Sequence, residues 1–208
     1  MAKASKSRMT VEGEDEGRFV AALAAGDRAA FAEAYRRYNP PMVRLAAAIL
    51  RNQASAEEVA QDAWVSILKN IGGFEGRSSL AAWIFTILTN AARSRARRDG
   101  RQVSFDDGGE GNGLAAAFDG TGHWKEMPAL WEEVTPERMI AGRNLLQHVS
   151  AAIDRLPEAQ RAVLILRGQQ GLEAAEVCAA LGISEGNMRV LLHRARHALR
   201  RELDRLMG

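Results

Sequence analysis

The residues best suited to chemistry lie in one arginine-rich segment near the end of the chain, SEGNMRVLLHRARHALRRELDRL, residues 184–206. Apolar residues recur there at three- and four-residue steps, which places them along one face of a helix. Positive charge covers much of the remaining surface and indicates an anionic partner, although a solvated basic face is the plain alternative. The arginines are Arg189, Arg194, Arg196, Arg200, Arg201 and Arg205.

Other side chains that could do catalytic chemistry are few. His193 and His197 stand four residues apart and could chelate a metal, but they lie among arginines that disfavour a cation, and no third ligand follows. The sequence shows no glycine-rich phosphate loop and no nucleophile elbow. We therefore expect no metal site, no cofactor and no enzymatic activity.

A short helix and a tight turn position the arginine-rich segment. The pattern predicts a helix from Leu172 to Leu181, a turn at Gly182, and Ser184 as the N-cap of the long basic helix. These are the components of a helix-turn-helix, whose second helix enters the major groove of DNA. The motif therefore favours DNA over a solvated face. Its core is predicted from Val177, Leu181, Ile183 and Met188.

The composition is that of a folded, nearly charge-balanced chain. Its 208 residues are 47% hydrophobic, and 28 lysines and arginines face 26 acidic residues, a formal charge of +2. The one cysteine excludes an internal disulfide, and no run approaches eighteen consecutive apolar residues. We expect a cytoplasmic protein without membrane insertion.

The chain divides into three zones. Helical periodicity without strand-like alternation fills residues 16–100, a glycine-rich and acidic stretch without sustained period follows over 101–136, and helical periodicity returns over 137–208. The sequence therefore predicts an all-α fold of two small helical domains joined by a long acidic linker.

Local signals within the first zone predict where its helices begin and end. Asn39-Pro40-Pro41, Gly72-Gly73 and Gly76 are predicted to break the helices. Ser55, followed three residues later by Glu58, predicts a capping box at the start of the third helix.

The segment LPEAQRAVLILRGQQGLEAAEVCAALGISEGNMRVLLHRARHAL resembles region four of bacterial sigma factors of the extracytoplasmic-function group. The resemblance implies that the helix-turn-helix binds the minus-thirty-five promoter element. Val190 and Leu191 depart from it, because the family commonly has a polar residue and an arginine there, and Cys178 replaces alanine. The implied contacts are Asn187, Arg189, Val190, His193, Arg194 and Arg196.

The first zone resembles region two of the same family in DRAAFAEAYRRY, ASAEEVAQDAWVSILKN and FEGRSSLAAWIFTILTNAARSRARR, in that order. In the second of these segments, four polar residues share a helix face opposite Val59, Ala63 and Ile67. Spacing alone favours an ordinary solvated face, whereas the resemblance implies docking on the clamp helices of the largest RNA polymerase subunit. The four are Glu57, Glu58, Gln61 and Asp62.

The third segment combines a polar loop, aromatic residues and arginines, a set that suits single-stranded DNA. Trp83 and Phe85 alone are more often core residues. The resemblance implies that Gly76 to Ser79 capture an unstacked base of the minus-ten element, and Ser94 stands where an aspartate is usual. The implied contacts are Arg77, Ser78, Ser79, Trp83, Asn90, Arg93, Arg97 and Arg98.

The resemblance implies a sigma factor that binds core polymerase through the clamp helices and the flap, recognises promoter DNA, serves a stress or envelope-response regulon and is held by an anti-sigma factor. A stand-alone helix-turn-helix regulator is the alternative, although it leaves the ordered resemblance of the first zone unexplained. Co-purification with core polymerase would separate the two.

The linker is expected to avoid DNA, because Lys125 is its only lysine or arginine between Gln102 and Thr135. The resemblance implies that it threads a basic channel of the polymerase. Trp124 and Trp131 are expected to anchor on an apolar surface, of this chain or of a partner. We favour a compact free state that buries them and hides the polymerase-binding face. The acids are Asp106, Asp107, Glu110, Asp119, Glu126, Glu132 and Glu133.

Overall fold

The computed structural model describes residues 15–101, 103, 105 and 151–207, and this part of the chain is helical with no strand. The all-α prediction is confirmed. The first group of helices comprises α1 over residues 15–24, α2 over Arg28–Leu50, α3 over Gln53–Asn70 and α4 over Leu80–Arg98, with a 3₁₀ turn at Ile71–Gly73 between the last two.

The second group of helices follows the linker. Residues 151–154 are helical, and α5 over Glu158–Val163 widens into a π-helical turn over Leu164–Gln169. The helix-turn-helix consists of α6 over Ala174–Leu181 and α7 over Glu185–Met207.

The helices share one continuous core. Helices α2, α3 and α4 pack on one another around Met42, Ile67 and Leu88, while Leu181 and Leu191 are buried in the second group. The two groups also meet, because α6 packs on α4 and α5 packs on α2. This contact places the helix-turn-helix beside the helix predicted to bind the minus-ten strand.

The helix-turn-helix forms as its sequence predicts. Gly182 has φ +59° and ends α6 in the left-handed region, where glycine carries no Cβ penalty. The amide of Asn187 donates to Ser184 Oγ at 3.2 Å, which confirms Ser184 as the N-cap of α7. Helix α6 begins at Ala174 rather than at Leu172, because Glu173 and Glu176 form a capping box there.

The predicted capping box of α3 is wrong. Asn52 is the N-cap, since its Oδ1 accepts a hydrogen bond from the Ser55 amide at 2.9 Å, and the helix begins at Gln53. Ser55 therefore lies within the first turn, and the side chain of Glu58 pairs with Arg95 of α4 instead.

The predicted break at Asn39-Pro40-Pro41 is also wrong, because α2 runs through both prolines. The carbonyls of Arg36 and Arg37 lose their helical donors, but both residues are exposed and solvent can hydrate them. Burial of Tyr38, Pro41 and Met42 against the core stabilises the continuous helix. The breaks at Gly72-Gly73 and at Gly76, with φ +68°, are confirmed.

The predictions for the linker lie outside the described residues. This applies to its acidic residues, to its path and to Trp124 and Trp131.

Candidate nucleic-acid interface

One face of α4 gathers most of the residues predicted to bind the minus-ten strand. Ser79, Trp83, Asn90, Arg93 and Arg97 recur every three, four or seven residues, so they share a face, and the core side chains of the helix point the other way. Ser79 also caps the helix, since its Oγ accepts a hydrogen bond from the Ala82 amide at 3.2 Å.

The remaining predicted minus-ten residues lie at the margins of this face. Arg77 is exposed in the loop before α4 and pairs with Glu75 at 3.0 Å, beside the half-buried Ser78. Arg98 is exposed but follows Arg97 directly, so it projects away from the shared face.

The two aromatic residues of α4 have different environments. Phe85 is fully buried and belongs to the core. Trp83 is half-buried and meets Phe74 edge to face, with ring centroids 5.5 Å apart. Only Trp83 therefore remains accessible for stacking on a base.

Arg93 turns from α4 towards the helix-turn-helix. Its guanidinium donates to the carbonyl of Leu181 at the end of α6 and lies 5.2 Å from the ring centroid of Phe105. Burial, followed by the neighbouring Arg97 charge, lowers the pKa of Arg93. A side chain predicted to meet DNA is thus engaged within the chain.

The exposed face of α7 presents two of the predicted minus-thirty-five contacts. Arg189 and Arg194 are exposed, and Arg189 pairs with Glu185 at 2.5 Å one turn earlier. Val190 is half-buried between them. Leu191, where the family commonly has an arginine, is fully buried and serves the core.

The other predicted minus-thirty-five residues are partly covered. Asn187 donates from Nδ2 to the carbonyl of Phe105 at 2.8 Å. His193 stacks on His197 with centroids 6.3 Å apart, and burial, then the charges of His197 and Arg196, lower the pKa of His193. Arg196 is half-buried, so it is a weaker candidate for a base contact than Arg194. Among the described residues no cluster of three potential metal ligands occurs.

The predicted polymerase-binding residues form an exposed face of α3. Glu57, Glu58, Gln61 and Asp62 are all exposed, opposite the buried Val59 and Ala63 side. Glu58 pairs with Arg95 at 2.9 Å, whereas Asp62 has no ion-pair partner within the described ranges. The compact state predicted to hide this face depends on linker residues that lie outside the described ranges, so it stays a prediction.

The sequence interpretation missed an apolar extension of this face. Val65 and Leu68 are 51% and 44% exposed, and Tyr35 of α2 is 43% exposed beside Trp64, at 5.5 Å between centroids. The signal was available, because Val65 and Leu68 fall outside the buried stripe and continue the line of Gln61 and Asp62 along the helix. An apolar strip beside carboxylates is typical of a protein-binding surface.

No helix in the described ranges has the length and apolar character needed to cross a membrane.

Comparison with known proteins gives matches over both helical groups. Residues 34–102 match the family described as Sigma-70 region 2, and residues 146–199 match the family described as Sigma-70, region 4. The first match covers most of α2 and all of α3 and α4, and the second covers α5, α6 and α7 as far as residue 199.

Curated relatives match along nearly their whole length. The ECF RNA polymerase sigma factor SigM of Mycobacterium tuberculosis, strain Erdman, is 30% identical over 191 residues, which cover 90% of this chain and 84% of the relative. The ECF RNA polymerase sigma factor SigW of Bacillus subtilis is 28% identical over 178 residues, covering 86% and 91%.

A solved structure has a similar fold. It is the sigma factor RpoE of Bartonella quintana in complex with the anti-sigma factor NepR, with a TM-score of 0.52 and 26% identity, and it covers 84% of this chain and 96% of that one.

Proposed function

Because the chain belongs to the extracytoplasmic-function group of RNA polymerase sigma factors, we propose that its two helical groups divide promoter recognition between them. It is a transcription initiation factor, which binds core RNA polymerase and brings it to promoter DNA. The ordered presence of both regions is the observation that carries this function. A stand-alone helix-turn-helix regulator is not favoured, because it would need only the second region.

The minus-ten strand binds the shared face of α4. Trp83 offers a half-exposed ring for base stacking. Arg97 lies two helical turns beyond Asn90 on the same face and offers positive charge. Arg93 joins them once it leaves the helix-turn-helix. Arg77 and Ser78 line the preceding loop, and Arg98 meets phosphate at the far end of the helix.

The minus-thirty-five duplex binds the exposed face of α7. Arg189 and Arg194 are exposed and reach base edges or phosphates, with the half-buried Val190 between them. Asn187 and His193 lie at the edge of the same surface. Arg196, being half-buried, contributes through phosphate or through the position of the helix.

Core polymerase binds the exposed face of α3. Glu57, Glu58, Gln61 and Asp62 meet basic residues of the clamp helices, and the apolar strip of Val65 and Leu68 extends the contact. This combination supports docking better than charge alone, because burial of the strip adds the hydrophobic term.

The functional units are residues 16–100 for core and minus-ten binding and residues 137–208 for minus-thirty-five and flap binding, joined by the acidic linker 101–136. An anti-sigma factor holds the chain inactive, as the complex of the similarly folded RpoE with NepR suggests. The factor itself does no covalent chemistry, since the nucleotide transfer and its metal belong to the polymerase. A stress or envelope-response regulon fits this group of factors.

Complex formation with core RNA polymerase tests the function. The purified chain is mixed with core enzyme and resolved on a native gel, with a primary sigma factor as the positive control. A stable stoichiometric complex supports a sigma factor. Duplex binding without any complex with core polymerase would support the stand-alone regulator instead.

A further inference from the structure

Helix α1 lies outside the part of the chain that matches Sigma-70 region 2, because that match begins at residue 34. The helix nevertheless packs on the first helical group through one apolar face, which contains Phe19, Val20 and the buried Leu23. Glu16 precedes these residues by three, four and seven positions, so its side chain lies on the same face. A carboxylate on the core-facing side of a helix needs a hydrogen-bond partner there.

The partner of Glu16 is the start of α4. The amide of Leu80 donates to Glu16 Oε1 at 3.1 Å, and it is one of the amides that the start of a helix leaves without an acceptor in its own helix. Leu80 is 1% exposed, so solvent has little access to replace the carboxylate. The negative charge also suits the positive end of the α4 dipole. Glu16 therefore stabilises the first turn of α4.

The Glu16 carboxylate lies close to α2 as well as to α4. Burial is the main cause that raises the pKa of Tyr38 in α2, Arg37 opposes it, and the Glu16 charge adds to the rise. The Tyr38 ring meets Phe85 of α4 edge to face, with centroids 6.4 Å apart. Glu16 is thus bonded to α4 beside a buried contact between α4 and α2, and α1 is fixed against both helices at this point.

The first turn of α4 carries two of the residues proposed to bind the minus-ten strand. The Trp83 amide donates to the Ser79 carbonyl at 3.1 Å, and the Ala82 amide donates to Ser79 Oγ at 3.2 Å. Leu80 lies in the same turn, directly after the loop of residues 76–79. If this turn frays, the loop loses its fixed position relative to the Trp83 ring.

We propose that Glu16 is a positioning residue for minus-ten recognition: it holds the first turn of α4 and thereby aligns loop 76–79 with the Trp83 ring before the strand binds. The inference rests on the proposed function and deepens it, because it makes α1 part of the minus-ten binding unit. Glu16 does not touch DNA and acts through the Leu80 amide. A loop already held in its binding conformation loses less conformational entropy when the strand binds.

Three variants of the full chain separate the hydrogen bond from the charge. Glu16→Gln keeps a side-chain oxygen as acceptor for the Leu80 amide but removes the charge, whereas Glu16→Ala removes both. Asp15→Ala is the matched control, because Asp15 is the neighbouring exposed acid and pairs with Arg18 of its own helix. A positioning role predicts that only Glu16→Ala is defective.

The first measurement is amide hydrogen exchange resolved by NMR. The Leu80 amide should exchange about tenfold faster in Glu16→Ala, and it should stay within about threefold of its wild-type rate in Glu16→Gln and Asp15→Ala. The amides of α3 should keep their wild-type rates in every variant. Unchanged exchange at Leu80 in Glu16→Ala, or equal acceleration throughout the first helical group, would overturn the proposal.

The second measurement is binding of single strands by the holoenzyme, followed by fluorescence anisotropy. The probes are two short labelled oligonucleotides from the non-template strand of a promoter mapped by its transcript 5′ end, one with the native minus-ten element and one with that element permuted. Glu16→Ala should bind the native strand about tenfold more weakly than wild type and discriminate less between the strands, whereas Glu16→Gln and Asp15→Ala should stay within about twofold of wild type.

The ratio of the two affinities distinguishes positioning from a merely structural role. Loss of folded protein would weaken the binding of both strands by the same factor and leave the ratio unchanged, and that result would overturn the proposal. Tighter binding of the native strand by both Glu16→Gln and Glu16→Ala would show that the Glu16 charge repels DNA, which would also contradict it.

A native gel with core polymerase separates this inference from the proposed function. Wild type and all three variants should form the complex, because none of the substitutions lies on α3. If wild type forms no complex, the proposed function fails and this inference fails with it. If wild type forms the complex and discriminates between the strands, and Glu16→Ala does so equally well, only this inference fails.

Discussion

At the scale of single residues, Glu176 both caps its own helix and contacts the other helical group. Its carboxylate accepts the Glu173 amide at 3.0 Å within its own capping box and the Ser79 amide at 2.9 Å, at the contact between α6 and α4. Burial alone would raise the pKa of Glu176, but these backbone hydrogen bonds outweigh burial and lower it. The carboxylate form therefore stabilises the fold.

This shift predicts a pH dependence with a definite sign. Since the folded-state pKa of Glu176 lies below its ordinary value of 4.5, the carboxylate contributes stability above that pH and loses it as the pH falls below. Wild type should be more stable than Glu176→Gln at pH 7, and the difference should shrink towards pH 4. Urea denaturation of both proteins across this range measures it, and a difference that grows on acidification would contradict the assignment.

Arg189 and Arg194 are exposed on α7, so each can be tested by a single substitution. Alanine at each position should cost about 1 to 3 kcal/mol of promoter binding if the arginine reads a base, and less if it meets phosphate. The loss should be accompanied by a weaker salt dependence. Minus-thirty-five-dependent transcription by the holoenzyme provides the measurement.

Arg36→Ala is the control for this pair, because Arg36 is an exposed arginine of α2 paired locally with Glu33. Its transcription should match wild type. Full activity of the Arg189→Ala, Arg194→Ala double variant would exclude α7 as the reading helix.

At the scale of helices, the sequence predicted what is decided locally. The turn at Gly182 and the cap at Ser184 were predictable, because a left-handed glycine and a capping hydroxyl act on neighbouring residues. The passage of α2 through Pro40 and Pro41 was not, since buried side chains on both sides of the prolines override the local signal. The cap of α3 was misplaced because Asn52 and Ser55 are both good caps, and only the packed helix decides between them.

Two glycines of the helix-turn-helix should respond to alanine in opposite directions. Gly182→Ala should destabilise the protein by about 1 to 2 kcal/mol, because it places a Cβ at φ +59°, against the Arg93 guanidinium. Gly186→Ala should stabilise it by about 0.5 to 1 kcal/mol, because Gly186 is helical with open space around it. Thermal denaturation of both variants tests the turn, and a neutral Gly182→Ala would refute its geometry.

The exposed face of α3 predicts the effect of reversing its charges. Glu58→Lys with Asp62→Lys should weaken holoenzyme formation at least about tenfold, because like charges would face each other across the interface. The fold should stay intact, since the pair of Glu58 with Arg95 lies at the surface, where ion pairs contribute little to stability. Native gels and circular dichroism measure the two effects.

Asp15→Lys with Glu33→Lys is the control for this face. Both acids are exposed and paired within their own helices, away from α3. Holoenzyme formation should be unchanged in this control. Equal binding by the two double variants would remove α3 as the polymerase contact.

At the scale of the whole molecule, sequence patterns predicted the two helical groups but not the contact between them. Ser79 and Glu176 are 97 positions apart, and neither helical periodicity nor capping patterns connect such residues. The packing of α6 on α4 and of α5 on α2 lies within the described residues, whereas the predicted burial of Trp124 and Trp131 lies outside them and stays a prediction. Sequence interpretation is weakest for residues that contact one group within the chain and a second group on a binding partner.

The most direct test of the central claim, that this chain directs core RNA polymerase to promoters, is run-off transcription on fragmented DNA of the source bacterium with sequencing of transcript 5′ ends. With core enzyme and the factor, we expect discrete start sites that share conserved elements near minus-ten and minus-thirty-five. Core enzyme alone should not produce them, and Glu58→Lys with Asp62→Lys should lose them. Transcripts no more specific than those of core enzyme alone would contradict the account.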